Sequence, residues 1–339
     1  MTDLILHIGT EKTGSTSIQY ALASCRQELA ARGILYPRLL GTPNHTEVAM
    51  ISMGFQYDDP LQMQELARTG LSLPDYTTEV LRRLDDEIAQ TDAQTVLLSN
   101  EHCHGRVLGR EFVERLHAHF SPRFSSIRVI VYLRRQDRMV VSHHSTRLRE
   151  GGEGQVFPQN GTESPFYNFE RLLGFYGDLF GDQAITVRLF ESDRLIANDI
   201  VHDFFETAGL GMAPPPHKII ANPSVSRQQS RFLTLFNTRF PLVVNGALNP
   251  ERDLVVPAIE QTLKGPQARP ARAEAQAFLS RFDAANTRLR DRFLPDLDRP
   301  TLFDTNFADY PEKSDLEVPL TEAEMLEFAS ALWRWKVAP

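Results

Sequence analysis

The sequence has little cysteine, no surplus of basic charge and no long apolar run, and each shortage excludes a class of protein. Two cysteines in 339 residues, Cys25 and Cys103, are too few for a disulfide framework. The formal net charge of −8 argues against binding nucleic acid or an anionic membrane over a broad surface. No apolar run approaches the roughly 18 residues of a membrane span. Because the N-terminus also lacks the basic and apolar regions of a signal peptide, we expect a cytoplasmic protein.

A strand, a glycine-containing loop and a helix N-terminus follow one another near the start of the chain. Residues 3–8 predict a buried strand, Gly9-Thr-Glu-Lys-Thr-Gly14 predicts a loop, and a helix is predicted from Ser15. Small residues let backbone N–H groups turn toward an anion, and the positive end of the helix adds to the attraction. The pattern therefore predicts a phosphate-binding loop of the P-loop type.

The lysine of this loop is not where loops that bind nucleoside triphosphates carry it. Those loops have lysine directly after the second glycine, followed by a hydroxyl that binds magnesium. Here Gly14 is followed by Ser15-Thr16, and Lys12 lies inside the loop. From there its ammonium group can reach the bridging oxygen between a 5′-phosphate and a terminal group. No metal-binding pattern accompanies the loop, and we predict no metal site.

Strands alternate with helical patterns along the first part of the chain, which is typical of a parallel sheet covered on both faces. We predict one α/β domain over residues 1–339, a P-loop-like three-layer fold with a central parallel sheet flanked by helices. Its nucleotide-binding core would span about 1–210. A mostly helical C-terminal extension on the acceptor side would span about 211–339. Buried strands are predicted at 3–8, 95–99, 126–133 and 184–190.

Arginine is concentrated in residues 121–150, which contain seven arginines and two acidic residues. Arg134 follows directly on a predicted strand that ends at Leu133, and ligands of parallel sheets bind at that end of the strands. Ser142 comes eight residues later, on the helix predicted to follow. An arginine and a hydroxyl in these positions can meet one phosphate group.

A carboxylate follows another predicted strand. Glu101 comes two residues after the strand that ends at Ser99, so it is expected to face the same crevice as the loop. A carboxylate there can act as a general base. His102, His104 and His45 are rivals for that role, and the residues alone leave the choice among the four open.

Three segments resemble one enzyme family. His7-Ile-Gly-Thr-Glu-Lys-Thr-Gly-Ser-Thr16 resembles the 5′-phosphosulfate loop of sulfotransferases that use 3′-phosphoadenylyl sulfate (PAPS), most of all the bacterial relatives of the Golgi carbohydrate sulfotransferases. Leu133-Arg-Arg-x-x-Arg-x-x-x-Ser142 is similar to the family's 3′-phosphate segment, although Arg135-Gln136 stands where the family often has Asn-Pro or Asp-Pro. Asn222-Pro-Ser is similar to a family segment that closes over the nucleotide.

The resemblance implies transfer of a sulfuryl group from PAPS to a hydroxyl or amine, with adenosine 3′,5′-bisphosphate as the product. A carbohydrate, a lipid and a small metabolite all remain open as the acceptor, and no pattern indicates an oligomeric state. A P-loop kinase or nucleotidase and a non-catalytic nucleotide- or glycan-binding module are the alternatives. The implied catalytic residues are Lys12, Glu101 and His102. The implied nucleotide-binding residues are Lys12, Thr13, Gly14, Ser15, Thr16, Arg134, Ser142 and Asn222.

Overall fold

The computed structural model describes residues 2–56, 59–152, 155–216, 224–244, 247–316 and 318–337. The strands are β1 (Thr2–His7), β2 (Ile34–Leu35), β3 (Thr95–Ser99), β4 (Phe124–Leu133), β5 (Ile185–Leu189), β6 (Val243–Val244) and β7 (Ala247–Leu248). The α-helices are α1 (Ser15–Ser24), α2 (Arg26–Ala30), α3 (Thr46–Ser52), α4 (Pro60–Thr69), α5 (Leu73–Ala89), α6 (His102–Gly105), α7 (Arg110–Phe120), α8 (Gln136–Arg149), α9 (Phe169–Phe180), α10 (Ile200–Ala208), α11 (Arg227–Asn237), α12 (Glu251–Thr262), α13 (Arg272–Ser280), α14 (Asp283–Phe293) and α15 (Glu322–Val337). Short 3₁₀ turns cover Asp182–Ala184, Ser192–Arg194 and Ile196–Asn198.

A central sheet of five parallel strands has the order β2-β3-β1-β4-β5. Its register places His7, the last residue of β1, beside Ser99 of β3 and Ile130 of β4. The predicted parallel sheet is confirmed, and β1 lies between β3 and β4. A separate antiparallel pair, β6 with β7, lies outside this sheet.

Both faces of the sheet are buried, as the continuous apolar runs of its strands require. Ile5, Leu97 and Ile130 pack in one cluster with apolar residues of α1, α2 and α10. Successive side chains along a strand point to opposite faces, so Leu4 and Leu6 point away from that cluster, and they too are buried. Helices therefore cover the sheet on both sides.

The chain divides into two compact units that interleave along the sequence. The sheet unit comprises Met1–Arg134, Gly161–Ala221 and Ala284–Phe303, and it contains β1 to β5. The helical unit comprises Arg135–Asn160, Asn222–Asp283 and Asp304–Pro339. The organisation predicted from the sequence, one domain with a core over 1–210 and an extension over 211–339, stays a prediction. In the described ranges, no helix is long and apolar enough to cross a membrane.

The helix predicted from Ser15 ends at Ser24, because Cys25 leaves the helical region with φ −115° and ψ 28°, and α2 then begins. No sequence pattern predicted α3, whose middle and end are buried on all sides and so show no polar stripe.

Within the helical unit, Arg135 forms a buried clamp. Its guanidinium donates to both carboxylate oxygens of Asp137, at 2.7 and 2.8 Å, and to Asp304 Oδ1 and the Asn306 carbonyl, each at 2.7 Å. It also lies 4.2 Å from the centre of the Phe307 ring. Burial alone would lower the pKa of Arg135, but the bonds and charges of Asp137 and Asp304 raise it. The residue that departs from the family pattern therefore holds the C-terminal segment in place.

Candidate anion-binding and catalytic site

Three segments of the sheet unit meet at the edge where β1, β3 and β4 end. They are the loop from Gly9 to Gly14, the turn at Glu101 and the residue Arg134. Arg134 Nη1 donates to the carbonyl oxygen of Lys12 at 2.8 Å. A Cβ atom on Gly9 would lie 3.2 Å from Glu101 Cα, so the loop and the turn are in close contact. The sequence predicted these three segments, and the structure brings them together.

The loop has the backbone shape of an anion-binding nest. Lys12 and Gly14 both have positive φ, 65° and 83°, and the helix α1 begins directly after them. Gly14 is the N-cap of α1 and offers no side chain to the first N–H groups, which have no acceptor within the helix. A Cβ on Gly14 would lie 3.0 Å from Ile200 Cγ2. Glycine here lets a ligand, rather than a side chain, cap the helix.

The hydroxyls of the loop brace the loop itself. Thr10 is buried, and its hydroxyl donates to the Tyr132 carbonyl at 2.9 Å. Thr13 is also buried and donates to the Thr10 carbonyl at 2.6 Å, where the Ser15 hydroxyl approaches to 3.4 Å. These bonds fix the loop before any ligand arrives. Thr16, which follows Ser15, is partly buried.

Glu101 is partly buried and is the N-cap residue of the short helix α6. Its Oε2 accepts a hydrogen bond of 2.6 Å from Nε2 of Gln19, which lies on α1. Gln19 is almost fully buried. Gln19 is not among the residues predicted from the sequence, since it stands on a buried side of α1 that also carries Ser15 and Ser17.

Both ring nitrogens of His104 are engaged. Nδ1 accepts a hydrogen bond from the backbone N–H of Glu11 at 3.2 Å, so Nε2 carries the proton and donates to the Phe166 carbonyl at 2.9 Å. His104 therefore pins the phosphate loop to the segment after β3. A ring that is occupied on both sides is not placed to take a proton from a ligand, which removes one of the four candidate bases.

His45 is engaged in the same way. Its Nδ1 accepts from the N–H of Ser99 at 3.0 Å, and its Nε2 donates to the Pro37 carbonyl at 3.0 Å. The ring is fully buried, and burial lowers its pKa from 6.5 to about 4. His45 holds the end of β3 and is a second candidate base that the structure removes.

His102 and Glu101 remain as candidate bases. The His102 ring is partly exposed, and its Nδ1 lies 3.8 Å from Oε1 of Glu11, a residue of the loop. Its backbone N–H donates to Asn100 Oδ1 at 2.7 Å, which shapes the turn after β3. The side chain of His102 is therefore directed toward the loop carboxylate, whereas that of Glu101 is directed toward α1.

The remaining predicted residues fall in different places. Ser142 is buried on α8, in the helical unit, whereas Arg134 belongs to the sheet unit. Asn222 lies outside the described residues. Over the part of the chain that the structure describes, no group of three or more His, Cys, Asp and Glu side chains is arranged to hold a metal ion.

Two solved structures to which the chain is similar are both sulfotransferases. One, from Alicyclobacillus acidocaldarius, matches with a TM-score of 0.42 at 15% identity over 69% of this chain and 91% of that one. The other, the sulfotransferase domain from the curacin biosynthetic pathway, matches with a TM-score of 0.36 at 13% identity over 64% of this chain and 76% of that one. No protein-family model and no curated protein matches the sequence. At these identities and TM-scores, the likeness assigns no role to any residue.

The buried, neutral state of His45 predicts a pH dependence of stability. The ring titrates near 6.5 when the chain is unfolded and near 4 when it is folded, so below pH 6.5 the unfolded chain binds a proton that the folded one does not. The free energy of unfolding should therefore fall as the pH falls from 6.5 to 4. His45→Gln should flatten that slope by up to about 1.4 kcal/mol per pH unit. Urea unfolding at several pH values measures it, and an unchanged slope would contradict the assignment.

Proposed function

We propose that the protein transfers a sulfuryl group from PAPS to a hydroxyl or amine of an acceptor and releases adenosine 3′,5′-bisphosphate. The observation that carries the proposal is the position of Lys12 within the nest. Its backbone is left-handed, with φ 65°, and its carbonyl is bound by Arg134. The backbone of Lys12 is thereby fixed inside the loop, and the guanidinium of Arg134, at the end of β4, lies against it.

The proposed donor site follows from those groups. The amides of residues 13–16 and the start of α1 would bind the 5′-phosphate, because both present positive partial charge to one point. Arg134 would bind the 3′-phosphate, as the resemblance implies. Charge-assisted bonds of this kind are the strong hydrogen bonds of anion recognition.

The proposed reaction is an in-line displacement at sulfur. The acceptor oxygen or nitrogen forms a bond to sulfur, and the bond between sulfur and the bridging oxygen breaks. The electron pair of that bond stays on the phosphate, where Lys12 would stabilise the charge that develops. The acceptor proton goes to a general base, for which we propose Glu101 with His102 as the alternative. The lysine acts on the leaving group, and the carboxylate acts on the nucleophile.

The position of the lysine favours this reaction over phosphoryl transfer from a nucleoside triphosphate. A P-loop kinase needs its lysine after the second glycine, where it contacts the β- and γ-phosphates, and a hydroxyl next to it for magnesium. In this chain the corresponding residues are Ser15 and Thr16, and the Ser15 hydroxyl is directed at the Thr10 carbonyl within the loop.

The assay that tests the function uses PAPS labelled with ³⁵S and three acceptor panels: carbohydrates, lipids and small metabolites. We expect label to move to a member of one panel, without any requirement for ATP. Transfer of ³²P from the γ-position of ATP, with no transfer from PAPS, would contradict the proposal in favour of a kinase. Tight binding of PAPS with no transfer to any panel would favour the non-catalytic module.

The role of Arg134 gives a prediction about ligand choice. Arg134→Ala should weaken adenosine 3′,5′-bisphosphate by about tenfold or more, since a charge-assisted bond to phosphate contributes roughly 1.5–3 kcal/mol. AMP, which lacks the 3′-phosphate, should serve as the control and lose little affinity. Titration calorimetry with both nucleotides measures the two effects. Equal losses would show that the arginine supports only the shape of the loop.

The roles of Lys12 and Glu101 give a prediction about rate. Lys12→Ala should lower turnover by on the order of a hundredfold or more, because its contact with the bridging oxygen is strongest in the transition state. Glu101→Gln should lower turnover by roughly 10²–10⁴ and leave the affinity for the bisphosphate unchanged, because the amide keeps the size of the side chain and cannot take a proton. Single-turnover transfer of the ³⁵S label measures both. If Glu101→Gln retained more than about a tenth of the activity, Glu101 would not be the general base, and His102 would be the remaining candidate.

A further inference from the structure

A chain of buried polar side chains runs from the interior of the sheet to Glu101. His7 Nδ1 lies 2.8 Å from the Ser99 hydroxyl oxygen. Gln19 Nε2 lies 3.3 Å from the same oxygen and 2.6 Å from Glu101 Oε2. His7, Ser99 and Gln19 are buried, and each residue is at most 1% exposed. Polar groups so deeply buried are costly unless they are paired, so their arrangement is strongly constrained.

The direction of the bond to Glu101 follows from donor and acceptor chemistry. The Gln19 amide nitrogen has two protons, and it uses one for Glu101 and one for the Ser99 oxygen. The Ser99 hydroxyl has one proton and a second lone pair, so it can pair with His7 Nδ1 in either direction. Burial lowers the pKa of the His7 ring from 6.5 to about 3, so that ring is neutral at neutral pH.

The Gln19 amide presents an N–H donor to the carboxylate. If the amide were flipped, its oxygen would face Glu101 Oε2, and two acceptors would oppose each other. The carboxylate thus selects one orientation of the amide. The amide in turn fixes the Glu101 carboxylate in one rotamer, because a bond to a charged group is stronger than one between neutral groups.

We propose that Gln19 is a positioning residue for the general base: it holds Glu101 Oε2 and thereby assigns proton acceptance to Oε1. The inference rests on the proposed function, in which Glu101 takes the acceptor proton. Gln19 lies one helical turn after the start of α1, the helix whose N-terminus would bind the 5′-phosphate. The same helix would therefore set the position of the donor phosphate and of the base that acts on the acceptor.

Precise placement of a general base controls rate more than binding. An error of about 1 Å in the position of a reacting group can lower the rate by roughly a hundredfold. Gln19 is directed at the carboxylate and not at the nest, so its loss should affect the chemical step and not the affinity for the donor. A residue that only stabilised the fold would have no such selective effect.

The test uses Gln19→Met, which keeps the length of the side chain and removes both N–H donors. We expect kcat to fall by about ten- to a hundredfold, with unchanged affinity for adenosine 3′,5′-bisphosphate. The matched control is Gln62→Met. Gln62 is an equally buried glutamine of the sheet unit, and its Nε2 donates to the carbonyls of Met50 and Gly54. Both variants should lower the melting temperature, but only Gln19→Met should lower kcat.

The double variant separates positioning from a general loss of structure. If Gln19 acts through Glu101, Gln19→Met should cause almost no further loss of rate in a Glu101→Gln background. A kcat of Gln19→Met within twofold of wild type, or an equal loss in both backgrounds, would overturn the inference.

A crystal structure of each single variant distinguishes this inference from the proposed function. If wild-type protein transfers no sulfuryl group, the proposed function fails, and the positioning claim is then decided by the Glu101 side chain. A carboxylate that keeps one rotamer in wild type and loses it in Gln19→Met supports the claim. The same rotamer in both proteins overturns it.

Discussion

The parallel pairing of β1 with β3 on one side and β4 on the other is the constraint on which the site depends. In a parallel sheet the segments that follow neighbouring strands emerge at one edge. The register aligns His7 with Ser99, so the phosphate loop and the turn at Glu101 leave the sheet at the same level. Arg134, at the end of β4, then reaches the loop carbonyl of Lys12. An arginine, the loop from Gly9 to Gly14 and a carboxylate are thereby brought to one edge, and the Arg134–Lys12 contact joins residues 122 positions apart.

The close approach of these segments explains why the loop begins with glycine. Gly9 has a φ of +97° and lies against Glu101, where a larger residue would need both a strained backbone and space that is already filled. Lys12 adopts a left-handed backbone although it has a side chain, a conformation that costs of order 1 kcal/mol or more and is found mainly where a structure enforces it. The Thr13 and Ser15 hydroxyls, directed at the Thr10 carbonyl, supply that enforcement.

The sequence predicted the parts of this arrangement that depend on short-range pattern. Apolar runs followed by glycine, Glu101 or Arg134 indicated strands that end at one edge, and the structure has those strands in neighbouring positions. Such short-range patterns could not decide which of the four candidate residues is the general base. His45 and His104 are engaged on both ring nitrogens, and decisive partners of theirs, the Ser99 N–H and the Phe166 carbonyl, lie far away in the chain. Gln19 was missed because its partners, Ser99 and Glu101, are also distant in sequence. Asp137 is two residues from Arg135, but Asp304 and Asn306 are distant, so the sequence could not distinguish that arginine, a clamp, from Arg134, a candidate ligand.

The most direct test of the central claim is a crystal structure of the protein with adenosine 3′,5′-bisphosphate. The account predicts the 5′-phosphate within hydrogen-bond distance, about 3 Å, of the backbone amides of residues 13–16, with the Lys12 ammonium on the phosphate oxygen that would bridge to sulfur. It also predicts that Arg134 contacts the 3′-phosphate. A nucleotide bound with its 5′-phosphate away from the loop, or with Lys12 directed away from that oxygen, would contradict the account.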